Sequence, residues 1–156
     1  MALGHVTTIR IVNDLIRIHR LRIDYYGEMI YNCVNQAPEL KVLFEEIARQ
    51  SIQFEKELKN SIASFDGQAH LFQPRRTGTI FLTWARAASP LVAEDPNKLL
   101  RSCQTELKAL HAAYNEALHI SLSMDPQVKD LIETEHYGIS GMIDSVEEYA
   151  DGFPMA

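Results

Sequence analysis

The chain has 156 residues, of which 46% are hydrophobic and 23% are charged, a composition typical of a globular domain and not of a disordered or collagen-like chain. Its 21 acidic and 15 basic residues give a net charge of −6, which disfavours nucleic acid or anionic lipid as the main partner. No apolar run approaches the roughly 18 residues of a membrane span, and the two cysteines fit a reducing cytoplasm. We therefore expect one cytoplasmic domain over residues 1–156, without a membrane span.

The first long helix is predicted from about Thr7 to Val34, with Thr7 or Thr8 as its N-cap. Spacings of three and four residues place eight side chains on one face, which should point to the core. They are Ile9, Val12, Ile16, His19, Ile23, Tyr26, Ile30 and Cys33. The arginines of this helix are interpreted as a solvated basic stripe. They are Arg10, Arg17, Arg20 and Arg22.

A second helix is predicted to begin near Pro38, which suits a first helical turn, and to end at Asp66-Gly67. Its apolar face has the same spacing. That face consists of Leu40, Phe44, Ile47, Ser51, Phe54, Leu58, Ser61 and Phe65. A connector of nearly 30 residues follows, from Gln68 to Asp95, and one short helix is predicted inside it, from Ile80 to Ala88.

The third and fourth long helices share one start signal, an aspartate followed by a proline, at Asp95-Pro96 and Asp125-Pro126. The aspartate can cap the helix and the proline suits its first turn. The apolar face of the third helix is Leu99, Cys103, Glu106, Leu110, Ala113, Ala117 and Ile120. The apolar face of the fourth is Val128, Ile132, Glu135, Ile139, Met142, Val146 and Tyr149.

Four amphipathic helices of about 25 residues predict an all-α four-helix bundle. Short connections make the first and second helices one antiparallel hairpin and the third and fourth another. The long middle connector can run the length of the bundle, so the second and third helices should be parallel. This up-down-down-up order is the ferritin-like arrangement, here with a short helix in the crossover.

An ordered series of short motifs runs along these helices. It consists of Asn13-Asp14-Leu15-Ile16, Arg22 through Tyr26, Gln50-Ser51 followed by Phe54 and Glu57-Leu58, Trp84, Cys103, and Tyr114 with Glu116-Ala117-Leu118. The series resembles a bacterial family of ferritin-like four-helix-bundle proteins of unknown function, over roughly Ile9 to Glu148. The resemblance implies a ferritin-like fold and a cytoplasmic bacterial protein, with no established activity. Family members often have an acidic residue where this chain has Leu107, beside Glu106, so an acidic site on that helix would be altered or lost.

The candidate site is a set of polar residues at apolar-face positions, one on each long helix: His19, Ser51, Glu106 and Glu135. Glu55 could also lean inward. Most of them fall near the same depth of the predicted bundle. Three interpretations stay open. The group is a hydrogen-bonded layer in which His19 pairs with Glu135 or Glu55, a metal site built from His19, Glu55, Glu135 and His136, or a set of side chains that reach solvent or a subunit contact.

A standard di-iron centre is disfavoured by the sequence. Such a centre needs Glu-x-x-His on two helices, with both side chains pointing inward. The chain offers this spacing at Glu133 and His136, whereas the second helix has only Glu46 to Arg49, which ends in a cation. At 100° per residue Glu133 should point to solvent, while Glu135 and His136 can look inward.

An apolar cluster outside the four long helices is a candidate interface. It consists of Ile80, Phe81, Leu82 and Trp84. A helix lying across the bundle can hide Phe81 and Trp84, but Ile80 and Leu82 project from other sides. We expect some apolar area to stay exposed there and predict a homodimer that covers it.

The expected function is a non-enzymatic binding or assembly module with no cofactor, whose protein partner the sequence does not name. No nucleophile elbow, phosphate loop or Cys-x-x-Cys motif is present, and no catalytic residue is assigned. The alternative is a ferritin-type redox or storage protein with a degenerate site for one iron, manganese or zinc ion. Its candidate ligands are His19, Glu55, Glu106, Glu135 and His136.

Overall fold

The computed structural model describes residues 2–33, 37–65, 78–88, 95–120 and 124–152, with side chains from Val6 onward. All regular structure in these ranges is helical, which confirms the predicted all-α class. The helices are α1 (Ala2–Cys33), α2 (Pro38–Ile62), α3 (Thr79–Ala87), α4 (Pro96–His119) and α5 (Pro126–Gly152). None of the helices in these ranges combines the length and the apolarity that a membrane span requires.

The predicted start signals of α4 and α5 are confirmed. The Asp95 carboxylate accepts a hydrogen bond from the Asn97 N–H at 3.0 Å, and Pro96 occupies the first turn of α4. The Asp125 carboxylate accepts from the N–H groups of Gln127 and Val128 at 3.1 and 3.2 Å. Each aspartate therefore satisfies backbone donors that the first helical turn leaves without a partner.

Helix α1 begins earlier than predicted, at Ala2, so neither Thr7 nor Thr8 is its N-cap. Thr8 lies inside the helix and is fully buried, and its Oγ1 accepts a hydrogen bond from the Asp125 N–H at 3.0 Å. The threonine therefore joins α1 to the start of α5. A cap signal in the sequence does not tell which helix the hydroxyl will reach, because that depends on packing.

Contacts between side chains show the relative directions of α1, α2 and α4. Residues late in α1 meet residues early in α2 and early in α4, so α1 runs antiparallel to both. The contacts are His19 with Ser51 and Tyr114, and Tyr26 with Phe44 and Glu106.

Helices α4 and α5 are also antiparallel. Tyr114 bonds Glu135, and Gln104, ten residues earlier in α4, bonds Glu147, twelve residues later in α5. This register brings the middle of α5 to the level of His19 on α1.

Two apolar clusters fill the interior. The first contains Ile9–Ile18 of α1, Phe54–Ile62 of α2, the apolar side of α3 and most of the buried face of α5. The second contains Tyr26–Cys33 of α1 and Leu40–Ile47 of α2, with the first half of α4. On α1 and α2 the buried residues between the two clusters are the polar side chains of His19, Arg22 and Ser51, and this level of the bundle holds the candidate site.

Helix α3 packs its apolar side chains onto the bundle. Phe81 and Trp84 are buried, and Ile80 is only 2% exposed. The expectation that Ile80 would remain exposed is therefore wrong, because its side chain joins the same apolar cluster as Phe81 and Trp84. Leu82 is half-buried.

The start of α3 is fixed to α1 by Asp14. Its carboxylate accepts a hydrogen bond from the Phe81 N–H at 3.3 Å, which places a negative charge at the N-terminus of α3. Gly78, the N-cap residue, has no side chain to offer, and a Cβ there would lie 2.6 Å from Asp14 Oδ1. Glycine at this position therefore leaves room for the Asp14 carboxylate, which a Cβ would displace.

The ends of the predicted faces differ from the structure. Ile120, the last residue assigned to the buried face of α4, is 43% exposed because the helix ends at His119. Helix α2 ends at Ile62, so Phe65 lies beyond it, half-buried. The predicted terminator Asp66-Gly67 lies outside the described residues.

A buried polar layer as the candidate functional site

Six polar or charged residues are buried in the described part of the chain: Thr8, His19, Arg22, Ser51, Glu106 and Glu135. Four of them are the residues that the helical pattern placed on apolar faces, so that prediction is confirmed. All of these six residues except Thr8 belong to one connected hydrogen-bond network, which we call the polar layer. The network also includes Tyr26, Trp84 and Tyr114.

An ion pair forms one half of the polar layer. Arg22 Nε and Nη2 donate to the two carboxylate oxygens of Glu106, at 2.7 and 3.0 Å. Tyr26 OH donates to Oε1 at 2.6 Å and Trp84 Nε1 donates to Oε2 at 2.7 Å. Each oxygen of Glu106 thus has two donors. A buried ion pair is tolerable only when its polar atoms are satisfied in this way.

Arg22 is the charged residue of the layer that the sequence analysis missed. The solvated-stripe interpretation is wrong for this arginine, which is fully buried. The signal was its spacing, since it lies three residues after His19 and four before Tyr26 on the same helical face. The arginine next to it in the stripe, Arg20, is exposed and pairs with Glu55 at 2.7 Å, as a surface cation does.

A chain of hydrogen bonds forms the other half. His19 Nδ1 lies 2.9 Å from Ser51 Oγ, and His19 Nε2 lies 2.7 Å from Tyr114 OH. Tyr114 OH in turn donates to Glu135 Oε1 at 2.8 Å. Arg22 Nη1 donates to Ser51 Oγ, which connects this chain to the ion pair.

The direction of this chain follows from donor chemistry. Arginine can only donate, so Ser51 accepts from Arg22 and donates its own proton to His19 Nδ1. His19 then carries its proton on Nε2 and donates to Tyr114, whose hydroxyl proton goes to Glu135. The assignment uses a neutral histidine. It agrees with the pKa of His19, which burial, and then the charge of Arg22, hold well below the ordinary 6.5.

Glu135 ends the chain as a neutral carboxyl. Burial raises its pKa to about 9, the nearby Glu57 carboxylate adds to the rise, and the bond from Tyr114 opposes it. Oε2 of Glu135 receives no N–H or O–H bond from the described residues. If Glu57 and Glu135 were both ionised, neither could donate a hydrogen bond to the other. A protonated Glu135 can donate a hydrogen bond to Glu57, which gives Oε2 of Glu135 a partner.

The candidate metal ligands do not all come together. His19, Glu106 and Glu135 belong to the polar layer, but Glu55 is half-buried and pairs instead with the exposed Arg20 and Lys59. His136, about 100° round α5 from Glu135, is half-buried, and its ring lies against that of His111. In the described ranges no three or more His, Cys, Asp or Glu side chains are grouped so that they could hold a metal ion.

The two cysteines are buried free thiols. Burial raises the pKa of Cys103 to about 12, so this side chain is a thiol and not a nucleophilic thiolate at neutral pH. Its neighbour Tyr26, 3.7 Å from Sγ, donates to the charged Glu106 instead. Cys103 therefore acts as an apolar side chain in the second cluster.

Comparison of the chain with protein-family models, with curated proteins and with solved structures finds no match.

Proposed function

We propose that this chain is a ferritin-like, up-down-down-up four-helix bundle of a bacterial cytoplasm that acts through binding or assembly and not through catalysis. The helix directions support this order: α1 is antiparallel to both α2 and α4, so α2 and α4 run the same way, and α5 reverses again. The order and spacing of the motif series from Asn13-Asp14 to Glu116-Ala117 support the resemblance to the bacterial ferritin-like family.

The main support for the proposal is that the hydrogen-bonding groups of the polar layer bond one another. Both ring nitrogens of His19 and both carboxylate oxygens of Glu106 are engaged by protein groups. A metal ion at this level would have to displace bonds that compensate the burial of Arg22. The layer is therefore better suited to fixing the register of the helices than to holding a reactive centre.

Assembly as a homodimer is part of the proposal. Large apolar side chains are exposed on several helices and offer contact points: Leu21, Tyr31, Val42, Ile52 and Tyr137. Because Ile80 is buried in its own bundle, α3 no longer supplies the apolar surface on which the homodimer prediction was based. Sedimentation at micromolar concentration tests for the dimer, and a single species of 17.7 kDa would contradict the homodimer proposal.

One observation favours the second candidate, a ferritin-type metal protein with a degenerate site. Glu135 has one oxygen without an N–H or O–H donor, and Glu57 lies beside it. A cation bound there would replace the shared proton, with the carboxylates of Glu135 and Glu57 as its ligands.

Elemental analysis of protein purified without chelators separates the two functions. We expect that the His19→Ala/Glu135→Ala double variant carries the same iron, manganese and zinc content as the wild type. Glu135→Gln, which keeps the size of the side chain, repeats the test if the double variant does not fold. Near-stoichiometric metal that is lost in these variants but kept in His119→Ala would favour the metal protein.

A further inference from the structure

We infer that His111 and His136 form a binding site for a divalent transition-metal ion, of the Zn²⁺ or Ni²⁺ type, that links α4 to α5. The site is separate from the polar layer and goes beyond the proposed function, which assigns no metal. The two imidazoles lie on neighbouring antiparallel helices, with ring centroids 4.5 Å apart. We call them the histidine pair.

The register of α4 and α5 produces the pair. The Tyr114–Glu135 bond fixes which turns of the two helices meet. His111 lies one turn before Tyr114, and His136 follows Glu135, so both imidazoles project from the same seam between the helices. Both side chains are half-buried.

His136 is ready to act as a ligand. Its Nε2 is buried and has no hydrogen-bond partner in the described part of the chain. Neutral imidazole is the form that binds Zn²⁺ and Ni²⁺.

His111 already has the second partner that metal-binding histidines use. Its Nδ1 lies 3.2 Å from the side-chain amide of Asn115. Amide rotation by half a turn presents the Asn115 oxygen instead, which accepts a proton from Nδ1 and leaves Nε2 free for a metal. Two nitrogens bound to one zinc ion lie roughly 3–3.5 Å apart, since each Zn–N bond is about 2.0–2.1 Å. The ring centroids of the pair, 4.5 Å apart, are close enough for both imidazoles to contact one ion.

Two imidazoles select the class of ion. Imidazole suits zinc, nickel and copper, whereas Mg²⁺ and Ca²⁺ require oxygen ligands. Because the described residues bring no third side-chain ligand to the pair, water completes the coordination. The ion would therefore cross-link α4 and α5 without a protein-built redox centre.

Titration calorimetry of the full chain with Zn²⁺ and, separately, Ni²⁺ tests the pair, with Mg²⁺ as a control ion. We expect one ion per chain, a loss of at least about tenfold in affinity in His111→Ala and in His136→Ala, and no change in His119→Ala. His119 is the matched control, because it is an exposed histidine on the same helix. Asn115→Asp should bind more tightly, since a carboxylate holds the His111 Nδ1 proton better than an amide.

Two results would overturn the inference. One is Zn²⁺ and Ni²⁺ binding that is unchanged in both alanine variants while circular dichroism shows that they fold, and the other is no binding by the wild type. Loss of binding in His19→Ala or Glu135→Gln, but not in His111→Ala, would instead place the metal in the polar layer and would contradict the proposed function. The two failures are therefore distinguishable.

Discussion

Arg22 and Glu106 show how a charged pair is accommodated in the middle of an apolar bundle. Neither side chain is exposed, and four donor contacts from three residues converge on the two oxygens of Glu106. The ion pair contributes little net stability, because the cost of removing both charges from water offsets the attraction between them. Removing one partner is a different matter, since it leaves the other charge buried without compensation.

Glu106→Gln should therefore destabilise the protein by about 3–5 kcal/mol, since it leaves the Arg22 guanidinium buried beside a neutral amide. Urea unfolding, followed by the fluorescence of the chain's one tryptophan, measures the loss. Glu55→Gln is the matched control: it removes a carboxylate from a pair with the exposed Arg20 and should cost at most about 1 kcal/mol. Equal losses in the two variants would show that the Arg22–Glu106 pair is not a buried ion pair.

Glu135 gives the stability a pH dependence whose sign is fixed. Its pKa is about 9 in the folded chain against an ordinary value of 4.5, so between these values the folded state holds a proton that the unfolded state has lost. Stability should therefore fall as pH rises from 4.5 towards 9. In Glu135→Gln, measured with a chelator present, this contribution should vanish and the curve should be flatter. An unchanged slope would mean that Glu135 is already ionised in the folded protein.

His19 contributes to the pH dependence of stability with the opposite sign. Its pKa is depressed on folding, so below about 6.5 the unfolded state binds a proton that the folded state excludes. Stability should fall as pH drops through this range, because protonated His19 cannot accept from Ser51.

At the scale of the helices, α3 is held by contacts that its own sequence does not reveal. Asp14 caps it from α1, Trp84 donates into the polar layer, and the Thr83 hydroxyl bonds Glu116 of α4 at 3.1 Å. The guanidinium of Arg17 also lies 4.2 Å from the centre of the Phe81 ring, in cation–π geometry. These links make the docking of a nine-residue helix depend on two long ones.

Gly78→Ala should cost about 1 kcal/mol, because the new methyl group displaces the Asp14 carboxylate from the N-terminus of α3. A double-mutant cycle with Asp14→Ala, read from urea unfolding, isolates the effect. In the Asp14→Ala background the glycine substitution should be nearly neutral. Costs that simply add would show that the two positions are not in contact.

The helices that the sequence predicts well are those with local signals. The caps at Asp95 and Asp125 need only neighbouring residues, and the structure has both. Thr8, Asp14 and Arg22 were misread or left without a role, because their partners lie on other helices and sequence spacing does not identify them. The pairing of His111 with His136 was not predicted for the same reason, because it depends on the register between α4 and α5.

At the scale of the whole molecule, the polar layer divides the core into two apolar clusters and joins all the long helices. Helical periodicity was sufficient to place His19, Ser51, Glu106 and Glu135 at apolar-face positions, because buried faces recur every three to four residues. It was not sufficient to pair them: His19 bonds Ser51 and Tyr114, not Glu135 or Glu55 directly. One hydroxyl, that of Tyr114, separates the imidazole from the carboxyl.

We propose that the polar layer is complete without a metal ion. Anomalous diffraction from crystals of protein purified without chelators, collected at the iron, manganese and zinc edges, tests this proposal. We predict no anomalous peak within bonding distance of His19, Glu106 or Glu135, while a peak at the histidine pair would be compatible with a metal-free layer. A peak bonded to His19 or Glu135 would show that the layer holds a metal ion.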